Sequence, residues 1–284
     1  MESTAAPDRF AVLGHPGRLA VFRLLARRAP AGVRPGEMVG ALGLKPSTLS
    51  AHLAALERAG LARARRDGRT IHYAAALDEV AGLVDYLVAD CCRGRPELCV
   101  PLAARSLVTL GALPMADKRF NVLFICTGNS ARSIMAEAIL AKLGEGKFVA
   151  HSAGTKPYSE MNPFALGMLV ANGHDVSAMR AKNVGEFQGP DAPRLDFVFT
   201  LCDAAANEEC PAWEGQPITA HWGLPDPVQA TGSEAERALA FKDTYRALHR
   251  RLSAFVALPF DSLDRMSLQR RLDEIGADSS VAAG

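Results

Sequence analysis

The stretch NVLFICTGNSARS, residues 121–133, joins a short apolar run to a loop of small and polar residues, and the helical pattern SIMAEAILAKLG follows. A strand, a loop and a helix in this order bring successive backbone N–H groups and a helix N-terminus together, which forms a cradle for a tetrahedral oxyanion. The guanidinium of Arg132 can add a bidentate fork. The same positive field favours Cys126 as a thiolate. The stretch therefore predicts an oxyanion site with a nucleophilic cysteine, against the alternative that Cys126 is a core residue at a strand end.

The chain beyond this loop alternates between short apolar runs and helical patterns. The predicted strands are FVAHSAG, DFVFTLC and PITAHW, and the predicted helices are NPFALGMLVANG and SEAERALAFKDTYRALHRRLSAFVAL. Such alternation is typical of an α/β domain with a doubly wound parallel sheet, whose ligands bind at the carboxyl ends of the strands. Cys126 lies at such an end.

Two further cysteines bear on the chemistry of this domain. Cys202 ends a predicted strand, and Cys210 follows it before Pro211. A phosphatase needs one nucleophile, whereas a reductase that releases its product by forming disulfides needs additional thiols. The cysteines therefore favour a reductase, with a phosphatase and a non-catalytic oxyanion sensor as the alternatives.

The motifs CTGNSARS, TLCDAAANEECP and HWGLPDP resemble the thioredoxin-coupled arsenate reductases, which have the low-molecular-weight tyrosine phosphatase fold, over residues 119–257. The resemblance implies that Cys126 attacks arsenate, that Asp226 is the general acid, and that Cys202 and then Cys210 complete a disulfide relay. It also implies an external thiol reductant, with thioredoxin expected, and no tightly bound cofactor. The oxyanion-binding loop would comprise Thr127, Gly128, Asn129, Ser130, Ala131, Arg132 and Ser133.

Part of that family has a potassium site, which Asn129, Glu137 and Ser152 match. Lys182 replaces its aspartate ligand. Because an ammonium group can take the place of the cation, we expect no potassium requirement.

The first hundred residues have a different pattern, and they are the more basic part: residues 1–103 hold 14 Lys or Arg and 10 Asp or Glu. Apolar spacing predicts a helix, a break and a helix from Phe10, then a helix over PGEMVGALG and another from Pro46. A basic hairpin follows around Asp67-Gly68. A helix-turn-helix followed by a basic wing is an α+β winged-helix domain.

Here the segments RFAVLGHPGRLAVFRLL, LKPSTLSAHLAALERAGL and RRDGRTIHY resemble the ArsR/SmtB repressors, which bind operator DNA as homodimers and release it when a metal or metalloid binds. The start of the third helix would enter the major groove, while wing arginines meet phosphate. The residues expected to contact DNA are Ser47, Thr48, Ser50, His52, Arg65, Arg66 and Arg69.

The cysteine site that many arsenic-sensing members carry before the recognition helix is missing, because GEMVGAL holds neither cysteine nor histidine. Another subgroup resembles this chain in having an adjacent cysteine pair and a third cysteine after the last helix, which here are Cys91, Cys92 and Cys99. Soft, three-coordinate arsenite prefers thiolates, so these three residues are the expected arsenite site. A zinc site and a cluster that binds nothing are the alternatives.

Composition sets the remaining limits. No apolar run is long enough to span a membrane, and MESTAAPDRF has no signal-peptide pattern, so we expect a cytoplasmic protein without a membrane partner. The expected organisation is a winged-helix and arsenite-sensing domain at 1–103, a linker at 104–118, a reductase domain at 119–257 and a tail at 258–284. Together the two resemblances imply an arsenite-responsive repressor fused to an arsenate reductase.

Overall fold

The computed structural model describes residues 5–87, 119–158, 160–189, 191–208, 213, 217–260 and 262–277. The chain divides into two compact units, Met1–Leu113 and Pro114–Gly284. The linker, the cysteines Cys91, Cys92 and Cys99, and Cys210 of the expected relay all lie outside the described residues. Among the helices that are described, none is long and apolar enough to cross a membrane.

The first unit is a winged helix. Its elements are α1 (Ala5–Leu13), α2 (Pro16–Arg27), α3 (Pro35–Leu42), α4 (Pro46–Arg58), β1 (Ala62–Asp67), β2 (Thr70–Ala75) and α5 (Leu77–Tyr86). The helix starts at Pro35 and Pro46 are confirmed, and Gly43 caps α3 in the left-handed conformation that glycine tolerates. Leu49, Leu53 and Leu56 of α4 are buried in the unit's core, as their spacing predicts.

The wing differs from the sequence prediction by one residue. Strands β1 and β2 pair antiparallel up to Asp67 opposite Thr70, so the two turn residues are Gly68 and Arg69 instead of Asp67 and Gly68. The physical reason is that Gly68 has a positive φ of 57°, which a glycine adopts at little cost at the start of a tight turn. Arg69 therefore lies at the tip of the wing.

The second unit is built on a four-stranded parallel sheet with the order β4-β3-β5-β6. The strands are β3 (Phe120–Cys126), β4 (Phe148–Gly154), β5 (Phe197–Thr200) and β6 (Ile218–His221). The helices are α6 (Arg132–Leu143), α7 (Pro163–Ala171), α8 (Asp203–Asn207), α9 (Glu234–Val256) and α10 (Arg265–Ala277). The predicted parallel sheet is confirmed.

The sheet topology places the oxyanion loop. The chain leaves β3 to form β4 on one side of it and returns to form β5 on the other, so the carboxyl end of β3 is a switch point at which ligands of such sheets bind. The aromatic core, which includes Phe120, Phe197, Phe199 and Phe255, packs on one face, while Leu123, Ile125 and Val198 belong to a smaller cluster on the other.

Part of the segment expected to be a tail belongs to this fold. Helix α10 buries Leu268 and Leu272 in the aromatic core, and Trp222 Nε1 donates a hydrogen bond to the carbonyl of Leu272 at 2.9 Å. The buried Arg251 of α9 also donates to the carbonyl of Gly276 at 3.0 Å. These contacts fix α10 beside the end of β6.

Candidate functional site

The oxyanion loop runs from Cys126 at the end of β3 to Ser133 in the first turn of α6. Both ends are buried, and the Cys126 Sγ lies 2.9 Å from the Ser133 Oγ. Asn129 Nδ2 donates to the Ser133 Oγ at 2.8 Å, so the Ser133 hydroxyl proton is available to the sulfur. The loop turns at Asn129, whose φ of 43° is positive. Asparagine is one of the few residues that adopt this conformation readily.

Two stretches, residues 155–158 and 160–162, lie beside this loop, and we call them together the brace. Four of its backbone N–H groups donate to four loop carbonyls at 2.9–3.1 Å. The pairs are Thr155 to Cys126, Lys156 to Thr127, Tyr158 to Gly128 and Asn162 to Ser130. These hydrogen bonds satisfy the loop carbonyls and hold the loop in its turn. Nothing in the sequence motif predicts the brace, because its donors lie far along the chain from the loop.

Two glycines let the brace and the loop approach. A Cβ at Gly154 would lie 2.7 Å from the backbone oxygen of Thr127, and a Cβ at Gly128 would lie 2.5 Å from the ring of Tyr158. Both distances are too short for real contacts, and the first involves backbone that cannot move aside. A side chain at Gly154 would therefore displace the oxyanion loop itself.

Lys182, which is expected to replace potassium, belongs to a largely buried chain of hydrogen bonds. Lys182 Nζ lies 3.0 Å from both carboxylate oxygens of Glu137, and Ser152 Oγ donates to Glu137 Oε2. Asn129 Nδ2 donates to Ser152 Oγ at 2.9 Å, and Asn129 Oδ1 accepts from the Lys182 backbone N–H at 2.6 Å. The Lys182 ammonium thus occupies the position next to Glu137 and holds Asn129 through this chain.

Arg132 and Asp226 meet at the mouth of the loop. Arg132 is buried, its Nη2 lies 2.9 Å from Asp226 Oδ2, and its Nη1 donates to the carbonyl of Leu224 at 3.0 Å. Asp226 is about a third exposed. The guanidinium fork expected to hold an oxyanion is therefore paired with the expected general acid.

The thiol of Cys126 departs from the expectation of a favoured thiolate. Burial raises its pKa above the usual value, and the hydrogen bond from Ser133 lowers it by less; Cys202 adds a smaller increase and Arg132 a smaller decrease. The physical reason is that burial penalises a charged sulfur, while the Arg132 charge is already shared with Asp226. The thiolate is thus supported by Ser133 and Arg132, but burial outweighs them.

Cys202 lies beside the loop, as a relay requires. It is buried and unbridged, and its Sγ lies 3.4 Å from the Thr127 Oγ1. Cys202 also caps α8, because its Sγ accepts the backbone N–H of Ala205 at 3.4 Å. The structure thus brings Cys126, Arg132, Cys202 and Asp226 together around one loop, while Cys210 lies outside the described residues.

The residues expected to contact DNA lie on one helix and the wing of the first unit. Ser47, Thr48 and Ser50 are exposed near the start of α4, and His52 is half-buried against His15, with ring centroids 5.1 Å apart. Burial, together with His15 and Arg18, lowers the pKa of His52.

The wing arginines Arg65, Arg66 and Arg69 are exposed. Their neighbour Arg63 pairs with Asp78 of α5 at 2.7 Å. Within the described ranges no three histidine, cysteine, aspartate or glutamate side chains are grouped as metal ligands.

Comparison with known proteins covers both units. Residues 121–269 match the family model of the low molecular weight phosphotyrosine protein phosphatases, and residues 13–65 match a model described as a helix-turn-helix domain. An arsenate reductase of Halalkalibacterium halodurans is 31% identical over 134 residues, which are 47% of this chain and 93% of that protein. A glutaredoxin arsenate reductase of Synechocystis sp. is 36% identical over 106 residues, 37% of this chain and 77% of that protein. A solved structure described as an arsenate reductase in the phosphate binding state covers 49% of this chain and 97% of its own, with 28% identity and a TM-score of 0.39.

Proposed function

The chain belongs to the low molecular weight phosphotyrosine protein phosphatase family, and we propose that it is an arsenate reductase fused to an arsenite-responsive DNA-binding repressor. The observation that carries the enzymatic part is the second buried thiol: Cys202 lies beside the oxyanion loop that holds Cys126. Ester hydrolysis does not use such a thiol, whereas a two-electron reduction does. Relatives that match almost their whole length to this unit are named arsenate reductases.

The reduction proceeds through three thiols. Arsenate binds to the loop N–H groups and to Arg132, and the Cys126 thiolate attacks arsenic while an oxygen leaves as water. The Cys202 thiolate then attacks the Cys126 sulfur. The S–S bond forms, the S–As bond breaks, and its electron pair stays on arsenic, which leaves as arsenite. Two thiols are thereby oxidised and one arsenic is reduced.

Thiol–disulfide exchange then transfers the disulfide from the Cys126–Cys202 pair to the Cys202–Cys210 pair. Cys210 attacks Cys202, so that the Cys126 thiolate is regenerated and a Cys202–Cys210 disulfide is left for an external dithiol. Thioredoxin is the donor that we propose. The similarity to a glutaredoxin arsenate reductase makes glutaredoxin with glutathione the second donor to assay.

Asp226 has the position of a general acid. Its carboxylate pairs with Arg132 at 2.9 Å. An arsenate bound to the Arg132 guanidinium would lie beside the Asp226 carboxyl. From that position Asp226 can deliver a proton to the leaving oxygen.

The enzymatic proposal is tested by steady-state arsenate reduction with thioredoxin, thioredoxin reductase and NADPH, and in parallel with glutaredoxin and glutathione. We expect turnover with wild type and none with Cys126→Ser or Cys202→Ser. Aryl phosphate hydrolysis that survives in Cys202→Ser, without any arsenate reduction by wild type, would identify a phosphatase instead. Arsenate binding without turnover of either kind would identify an oxyanion sensor.

The first unit supports the repressor proposal by its winged helix and its surface. The exposed start of α4 carries small polar side chains that fit a major groove, and the exposed wing arginines suit phosphate. A homodimer is the form that we propose, because the apolar side chains of Phe10 on α1 and of Val84 and Leu87 at α5 are exposed. Arsenite bound to the thiolates of Cys91, Cys92 and Cys99 would release the DNA.

A further inference from the structure

Three side chains form a hydrogen-bonded line next to Cys202. Thr200 at the end of β5 lies directly opposite His221 at the end of β6. The Thr200 Oγ1 is 2.9 Å from His221 Nδ1, and His221 Nε2 is 3.0 Å from Oδ1 of Asp203, the first residue of α8. The line therefore connects the sheet to the helix that Cys202 caps.

The geometry of this line fits a chain of hydrogen bonds. The Thr200 hydroxyl lies within hydrogen-bond distance of Nδ1, and an Nε2–H of the imidazole can donate to the Asp203 carboxylate. Gly223 leaves the space that this arrangement needs, because a Cβ there would lie 2.6 Å from His221 Nε2 and 3.5 Å from Asp203 Oδ1. A larger residue at position 223 would push the imidazole out of line.

Helix α8 is short and has few side chains that can anchor it through polar contacts. It spans only Asp203–Asn207, and its central residues are three alanines, whose burial removes little apolar surface from water. At its other end, Glu208 is 4.0 Å from the exposed ammonium of Lys156, a solvent-screened contact worth little. The polar line at Asp203 is thus a directed contact that joins the start of α8 to the end of β6.

We propose that Thr200, His221 and Asp203 are a latch that positions Cys202 for attack on Cys126 and that opens when Cys210 takes over the disulfide. The proposal rests on the relay proposed above. While the latch is closed, α8 stays folded and its cap residue Cys202 stays beside the oxyanion loop. When it is open, α8 can unwind, so that the Cys210 thiolate reaches Cys202, forms the new S–S bond and expels Cys126 as a thiolate.

The first test measures the latch without using the reaction. In the fully reduced protein, amide hydrogen exchange over residues 204–208 should be about fivefold faster in His221→Leu than in wild type, the factor that corresponds to one net hydrogen bond. His249→Leu, which changes an exposed histidine of α9, is the matched control and should exchange like wild type. Equal exchange in His221→Leu and wild type would overturn the latch, whatever substrate the enzyme takes.

The second test separates positioning from binding. In the Cys210→Ser background, rapid-quench formation of the Cys126–Cys202 disulfide from arsenate should slow about fivefold on adding His221→Leu. Inhibition by sulfate, which serves as the oxyanion probe of the loop, should stay the same. Asp203→Asn keeps the accepting oxygen and should restore most of the rate that Asp203→Ala loses. If both Asp203 variants react alike, or if sulfate inhibition weakens in parallel, the latch is wrong. If wild type forms no disulfide, the relay fails and the exchange experiment alone decides the latch.

Discussion

We expect the ion pair between Arg132 and Asp226 to weaken substrate binding, and we expect Asp226 to speed catalysis. Their 2.9 Å contact occupies part of the Arg132 guanidinium, so an oxyanion that binds the same N–H group competes with the aspartate. At the same time, general acid catalysis typically contributes 10²–10⁴ in rate, and Asp226 is the acid that we propose. A variant that keeps the shape of Asp226 but not its charge separates the two effects.

We therefore expect Asp226→Asn to bind arsenate and sulfate about tenfold more tightly and to turn over arsenate at least about a hundredfold more slowly. Sulfate inhibition constants and single-turnover rates measure the two effects independently. Asp191→Asn, at an exposed position of the second unit, is the control. Weaker sulfate binding in Asp226→Asn would show that Asp226 helps to hold the anion instead of competing with it.

Ser133 gives a second prediction, because it opposes the burial that raises the pKa of Cys126. Removing its hydroxyl in Ser133→Ala takes away a hydrogen bond to the thiolate, so the pKa should rise further and the thiolate fraction at a given pH should fall. We expect the midpoint of iodoacetamide alkylation at Cys126 to move to higher pH in this variant, with slower alkylation at pH 8. Since the pKa is raised in the folded protein, alkylation of wild type should also increase with pH beyond the usual thiol range. A midpoint that moves to lower pH in Ser133→Ala would contradict this account.

The elements around the loop differ in how far the sequence predicts them. The strand, loop and helix from β3 to α6 could be predicted because their signals are local: an apolar run, small residues and a helical period. The brace could not, because its residues reach the loop only once β4 has paired with β3. The same holds for α10, whose contact with Trp222 depends on the completed sheet.

The sequence resemblance predicts that Lys182 takes the place of a potassium ion, but it does not predict how much this residue contributes to stability. Its ammonium pairs with Glu137 of α6, and both side chains are largely buried. Breaking such a pair by removing one partner typically costs about 3–5 kcal/mol, because a carboxylate is left uncompensated. A potassium ion could enter the space and restore the charge balance.

We thus expect that potassium does not change the activity or the melting temperature of wild type, and that Lys182→Ala is destabilised but partly recovers when sodium is replaced by potassium. Differential scanning fluorimetry and arsenate turnover in matched potassium and sodium buffers measure this. Lys242→Ala, at an exposed position on α9, should behave like wild type in both buffers. A clear potassium stimulation of wild type would show that the ammonium does not replace the cation.

The two units together define a chemical circuit, because the proposed product of the second is the proposed effector of the first. The circuit assigns separate cysteines to its two steps: Cys126, Cys202 and Cys210 to production, and Cys91, Cys92 and Cys99 to sensing. The arsenite site lies outside the described residues, so its assignment rests on the chemistry of three thiolates and on the sequence resemblance. Two single substitutions can therefore break the circuit at different points.

We expect wild type, bound to a DNA fragment selected from a random library, to release it on adding arsenite, and on adding arsenate only when the thioredoxin system is present. Cys126→Ser should bind the same DNA and respond to arsenite but not to arsenate, because the producing thiol is lost while the sensing thiolates remain. Cys99→Ser should bind the DNA, reduce arsenate at the wild-type rate and respond to neither. Fluorescence anisotropy of the DNA, read alongside NADPH consumption, measures both steps in one sample. A Cys126→Ser protein that ignores arsenite would show that the two functions are not separable, and a Cys99→Ser protein that still releases DNA with arsenite would exclude the three-thiolate site.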